Sequence, residues 1–259
     1  MRRRQLVEIE DLGWCPRVIR DGGTDWLGFM ANVTKVFLPM APRIRAAMNA
    51  TGTTEVIDLC SGGGGPWLTL APELAKSGPV KVELSDVYPN LTAFRDVADR
   101  TNGAVGFRDT PLSASDVPPD IRGVRTIFLA FHHFPPALAA AILSDAVRKR
   151  RAIAIFEGVN HRGIGLISMP GQLPAILVCT PFVRPFRWSR LLFTYLVPLI
   201  PFLVLFDGTM SLLRLYLVEE LQELVAIVPG HESFTWDIGY TPFLPGLPIG
   251  PVHLVGVPK

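Results

Sequence analysis

Glu55-Val56-Ile57-Asp58-Leu59-Cys60-Ser61-Gly62-Gly63-Gly64-Gly65-Pro66-Trp67 runs from an apolar stretch into an acid and then into four consecutive glycines. Residues 56–59 read as the end of a buried parallel strand. The glycines permit a tight turn with positive φ and leave no Cβ between the backbone and a ligand. Pro66 suits the first position of a following helix, whose unpaired N–H groups would face the same ligand. Spacing separates the nucleotide-type readings of such a loop. No Gly-Lys-Ser/Thr follows, so a P-loop does not fit. G-x-G-x-x-G aligned on Gly62 and Gly64 needs a small residue where Trp67 stands, which weakens a dinucleotide fingerprint without removing it.

The same residues resemble the first motif of the class I S-adenosylmethionine (SAM)-dependent methyltransferases, acid-x-Gly-x-Gly-x-Gly. Asp58, Gly62 and Gly64 match it, and Cys60 replaces the first glycine. The resemblance runs from about residue 56 to 259, with looser motifs after the first. It implies an α/β fold built on a doubly wound, mostly parallel sheet with an antiparallel last strand. It also implies SAM as cofactor, seated at Asp58, Cys60, Ser61, Gly62 and Gly64. Residues 80–86 alternate apolar and polar as a second strand that ends in Asp86. There the family holds a ribose, because a carboxylate accepts from both hydroxyls. Glu83 is the rival, on the opposite face of the strand. Asp109, ending a third strand over residues 104–109, resembles the family's adenine-reading position, with Asp116 as an alternative.

At 259 residues the chain suffices for one large α/β domain with a substantial core. Its hydrophobic fraction is 49% and its charged fraction 19%, with mean hydropathy +0.32, so surplus apolar residues need a location. A net charge of +2 is too balanced to argue for nucleic acid as the main partner. Cys15, Cys60 and Cys179 have neither disulfide nor zinc spacing, which fits a reducing cytoplasm. Met1-Arg2-Arg3-Arg4 is followed by acids within residues 5–11 instead of an apolar run, unlike a secretion signal.

Residues 1–50 read as a helical cap over the cofactor pocket, with an amphipathic helix over residues 26–38 and Trp26 as a substrate contact or as packing on the sheet edge. The core then occupies residues 51–259. Helix 67–76 contains Pro72, which predicts a kink or a late start. A fourth strand over 125–131 delivers His132 and His133 to the carboxyl edge of the sheet, and either could take a proton from a hydroxyl or amine. Adjacent side chains are expected to diverge, so no metal site is expected. Helix 137–148 ends in the basic run Arg148-Lys149-Arg150-Arg151, and a fifth strand, 152–157, places Glu157 at the same edge as a second base or a substrate-orienting acid. Residues 209–216 resemble the segment entering the family's last helix, here 218–228, with Arg214 and Tyr216 facing substrate. A closing hairpin, 231–240 and 252–257, is what the methyltransferase fold has and the plain dinucleotide fold lacks.

The surplus apolar residues fall in a hydrophobic lid insertion at about 158–207. Residues 191–206 are an uncharged run of 16, short of the roughly 20 that span a bilayer, and are broken by Pro198 and Pro201. Arg184, Arg187 and Arg190 interleave with Phe186 and Trp188, as interfacial segments do. Three readings stand: a lid around a lipophilic substrate, the same element dipping into one leaflet, and a true span or plain core. The expected function is methyl transfer to a small lipophilic acceptor or lipid, in the cytoplasm or peripherally at the inner face of the membrane. The alternatives are an NAD(P)-binding oxidoreductase and a non-catalytic, membrane-associated binding protein on the same fold.

Overall fold

Seven strands form one sheet, with helices after the first, second, fourth and fifth of them and loops alone after the third and sixth. They are β1 (Glu55–Leu59), β2 (Lys81–Leu84), β3 (Val105–Phe107), β4 (Val124–Phe128), β5 (Ile153–Val159), β6 (Phe234–Tyr240) and β7 (Pro251–Pro258). The computed structural model describes residues 3–244 and 246–259; Met1 and Arg2, the start of the arginine run, lie outside it, as does Pro245. The strand order is β3-β2-β1-β4-β5-β7-β6. β7 runs antiparallel to both of its neighbours, and the pairings among β1 to β5 are all parallel. Every residue of β4 is buried, as expected of a parallel strand covered on both faces.

The helices divide between the two faces. On one side α2 (Ala41–Ala50), α3 (Trp67–Ala75) and α4 (Leu91–Arg100) bury Ile44, Met48, Trp67, Leu70 and Phe94 against the sheet. On the other, α5 (Pro136–Arg148) and α10 (Val218–Ala226) bury Ile142, Leu143, Leu221 and Leu224. This is a doubly wound sheet whose order reverses between β1 and β4. Such reversals open a crevice at the carboxyl ends of the strands. α3 starts at Trp67 with Pro66 as its N-cap, and Pro72 lies inside it without delaying that start.

The cap differs from the sequence expectation. Instead of a helix over 26–38, a single 18-residue helix, α1 (Arg17–Thr34), stops at Lys35 in the left-handed region (φ 54°). It crosses the insertion closely: a Cβ on Gly22 would meet Ile200 at 2.5 Å. Asp21 and Asp25, one turn apart on α1, share a face and are buried. Burial lifts Asp25 to about 6 even though Arg190 and Arg187 lie against it. Arg190 bonds Asp25 and is itself buried, while Arg187 donates to Asn90 Oδ1 at 3.0 Å and to Asp21 at 3.3 Å. Two of the three arginines assigned to a membrane face therefore turn inward, because buried carboxylates need cations; Arg184 alone of the three is exposed.

The insertion is helical: α6 (Arg162–Ser168), α7 (Gln172–Cys179), α8 (Trp188–Leu191) running into a π turn (Leu192–Leu196), and α9 (Leu199–Arg214). The α8 and α9 axes meet at 78° across Val197 and Pro198, the break expected of proline. Residues 209–214 do not form a separate entering segment but complete α9. Thr209 and Ser211 hydroxyls donate back to Leu205 O and Asp207 O within that helix.

Candidate functional site

A cavity of about 320 Å³ lies in the crevice between α1 and the carboxyl edge of the sheet. Its floor is Cys60, Gly62, Gly63 and Gly65 after β1, Asp86 after β2, and Leu129 and Ala130 after β4; α1 roofs it with Thr24, Leu27 and Gly28. An open depression of about 600 Å³ sits at the opposite, amino edge, between residues 50–55 and the chain end. That is the wrong edge of such a sheet for a ligand.

Asp58 does not face the cavity. Fully buried, it accepts from Thr126 Oγ1 (2.6 Å) and Ser61 Oγ (2.7 Å), while Ser85 Oγ donates to its carbonyl (2.8 Å). Asp58 and Ser61 thus tie β1, β2 and β4 together beneath the glycine turn. Burial lifts the Asp58 carboxyl to about 6, outweighing the hydrogen bonds from Thr126 and Ser61. A raised acid contributes stability that is present below its unfolded value of 3.8 and is lost as pH climbs through 6. Between pH 4 and 7 the wild type should therefore lose about 2 kcal/mol relative to Asp58→Asn. Urea melts of both proteins at the two pH values test this; an unchanged difference would sink it.

Cys60 adopts φ +59°, which explains why a glycine fits the motif at this position. Leu129, across the cavity, is also left-handed at φ +51°. Strained residues of this kind cluster at ligand sites. Burial pushes the Cys60 thiol well above its usual value, leaving it neutral and not nucleophilic. Cys60→Gly should stabilise the fold by about 0.5–1 kcal/mol, the relieved strain less the glycine's added chain entropy, and a rise in melting temperature would register it.

Gly62 (φ +49°) donates its N–H to Asp86 Oδ2 at 2.9 Å, and Tyr88 N–H donates to Asp86 Oδ1 at 2.8 Å. Each oxygen keeps a lone pair, and the carboxylate lines the cavity. Glu83 lies elsewhere, paired with Arg108 at 3.2 Å. Gly64 does not line the cavity; a Cβ there would meet Val97 of α4 at 2.7 Å, so this glycine serves packing. Asp109 is exposed, beyond the end of a β3 only three residues long, and does not line the cavity. Asp116 is engaged by Lys149 at 3.0 Å.

After β4 a short turn, Phe131–His133, carries the histidines. Glu157 is buried at the edge of β5 and accepts from His132 N–H (2.9 Å), with its other oxygen 2.7 Å from His132 Nδ1. Burial would raise this acid, but the adjoining His132 holds it below its usual value. Glu157 therefore orients His132 and does not line the cavity. His133 does line it, with Nδ1 2.8 Å from Asp11 Oδ1. Burial opposes its protonation, yet Asp11, Glu8 and Glu10 lift it to about 9, so it is a cation at neutral pH and not a base. The rings do not diverge as expected: their centroids lie 4.4 Å apart at 33°.

The three substrate candidates lie behind this wall. Arg214 is buried and donates to His133 O, to His132 O (3.3 Å) and to Asp11 (2.6 Å). Tyr216 donates to Phe134 O at 2.8 Å, with the Arg3 guanidinium over its ring. Both brace the histidine turn. Trp26 packs with Ile176 and Val183 on the far side of α1. Sequence reasoning missed Glu8, Glu10 and Asp11, which thread under the turn; their only signal was the acidic character of residues 5–11.

No family model matches the chain, and no curated protein matches it. Among solved structures, it is similar to the O-methyltransferase NcsB1 from neocarzinostatin biosynthesis, determined with S-adenosyl-L-homocysteine and 1,4-dihydroxy-2-naphthoic acid. The identity is 15% and the TM-score 0.55, over 96% of this chain and 61% of that one. It is also similar to the pyocyanin biosynthetic protein PhzM, at 13% identity and TM-score 0.50, over 87% of this chain and 55% of that one. The chain thus spans less than two thirds of either length. At these identities the likeness is one of fold: the Rossmann-like class I methyltransferase fold.

Proposed function

We propose that the protein is a SAM-dependent methyltransferase acting on a small lipophilic acceptor bound under α1. The observation that carries this reading is Asp86, whose two oxygens are each fixed by one backbone N–H and still open to the cavity beside Gly62 and Gly63. That arrangement suits a pair of vicinal hydroxyls at the point where the strand order reverses. The antiparallel β7 favours it over a nicotinamide oxidoreductase, since the plain dinucleotide sheet ends in order 4-5-6.

SAM supplies a sulfonium-activated methyl group. The chain's own task is to align the acceptor and exclude water, and positioning of this kind is worth several kcal/mol. Leu27, Ala31, Phe37, Phe128, Leu129 and Phe134 give the cavity an apolar wall, and His133, held by Asp11 at 2.8 Å, supplies a polar group on the same lining. NcsB1 was solved with a hydroxylated naphthoic acid, a class of aromatic acceptor this wall would suit. A peripheral membrane position, with lipid as a source of acceptor, is supported by the exposed apolar side chains of the insertion. The stretch Arg162–Phe182 has mean hydropathy 1.4 over its most apolar window, of which only 17% is buried.

Calorimetric titration with SAM and separately with NADP tests the core of the reading. One SAM per chain is expected, with no NADP binding; the reverse would replace the methyltransferase by an oxidoreductase, and neither would leave a binding scaffold without this chemistry.

A further inference from the structure

Behind the histidine turn a second, smaller cavity of about 120 Å³ is lined by Glu8, His132, His133, Leu129, and Asp207 and Ser211 of α9. We propose that Glu8, His132 and His133 bind a divalent transition-metal ion there, zinc being the best match.

The side chains are set up as ligands. Each imidazole has its Nδ1 against a carboxylate, Glu157 for His132 (2.7 Å) and Asp11 for His133 (2.8 Å). This is the outer-shell arrangement that fixes the ring and leaves Nε2 for a metal. Both Nε2 atoms turn toward one acid: His132 Nε2 is 3.8 Å from Glu8 Oε1, and His133 Nε2 is 3.6 Å from Glu8 Oε2. Four-coordinate zinc with bonds near 2.0–2.1 Å separates its ligand atoms by about 3.3 Å; the three ligand atoms here lie within 4.8 Å of one another, so side-chain adjustment without backbone rearrangement closes the site. Glu10 Oε1, 3.4 Å from His133 Nε2, is placed as a fourth donor.

The second observation is an unmet polar demand. Glu8 is fully buried and neither of its oxygens accepts a hydrogen bond; His132 Nε2, also buried, has no hydrogen-bond partner. Buried polar atoms of this kind are normally satisfied, and three converging on one point fit a bound cation. Arg214 Nη1 approaches Glu8 Oε1 to 3.0 Å, but its guanidinium already donates to Asp11 and to the carbonyls of both histidines. Glu8 and Asp11 both pair with Arg214, at 3.0 and 2.6 Å, and Glu10 lies against His133, so the carboxylates here outnumber that guanidinium and an added dication offsets them. Two imidazoles and a carboxylate select zinc or a similar first-row ion over magnesium or calcium, which prefer all-oxygen shells.

The test needs no methyl transfer and is independent of the SAM reading. Chelator-stripped protein titrated with Zn²⁺ should bind one ion per chain at micromolar or tighter Kd, and Glu8→Gln should weaken this at least tenfold. Cobalt(II) added to the wild type reads the same site without a variant, should Glu8→Gln fail to fold. A tetrahedral d–d spectrum without thiolate charge transfer is expected. No stoichiometric Zn²⁺ binding, unchanged binding in folded Glu8→Gln, or an octahedral or thiolate cobalt spectrum would each overturn the proposal.

Discussion

Asp86→Ala should bind SAM roughly 30- to 100-fold more weakly than the wild type, a loss of about 2–3 kcal/mol from charge-assisted hydrogen bonds to the ribose. The loss has two parts. The carboxylate that would receive the hydroxyls disappears, and so does the acceptor that holds the Gly62 N–H at 2.9 Å, so the glycine turn loses a fixed point on its ligand side. Asp86→Asn keeps one acceptor oxygen and should fall between the two. Glu83→Ala is the control, because Glu83 is occupied by Arg108 on another side of the strand and should leave affinity unchanged. Calorimetry on folded proteins decides it: wild-type affinity in Asp86→Ala would remove the seat on which the methyltransferase reading rests.

The sheet was legible because its signals are local. Apolar runs ending in Asp58, Asp86 and the histidine pair mark where strands stop, and the closing hairpin after the last helix fixed the antiparallel β7. Residues whose role depends on a distant partner were not legible in the same way. Arg187 and Arg190 look like headgroup ligands in sequence, and only the fold brings Asp21 and Asp25 of α1 against them. Arg214 and Tyr216 have the right chemistry for a substrate pocket, yet the turn needs its carbonyls held from behind and takes both. Asp109 follows a strand too short to carry it to the crevice. The histidines were found but their setting was not, because Glu8 reaches them from the other end of the chain with no spacing to announce it.

Vesicle binding, the second large effect, should follow apolar exposure and not charge. On neighbouring helices of the insertion Ile167 is 82% exposed, Trp188 78%, Leu196 76% and Phe202 58%, more apolar surface than a soluble chain usually leaves uncovered in one region. Leu203 and Ile200, on the other side of α9, are buried against α1, so α9 has one face committed to the cap and one facing outward. Burying a large apolar side chain is worth about 1.5–3 kcal/mol. A Trp188→Ser, Leu196→Ser, Phe202→Ser variant should therefore lose at least about 4 kcal/mol of membrane affinity, near a thousandfold in partitioning. Because Arg187 and Arg190 are spent on Asp21 and Asp25, binding to zwitterionic vesicles should survive high salt, and Arg184→Ser should cost only about 1 kcal/mol on anionic ones. Flotation separates the outcomes. Wild-type protein that stays below the vesicles would show that this face meets something other than lipid, and binding that salt abolishes would return the arginines to the surface and contradict the ion pairs that hold the cap to the insertion.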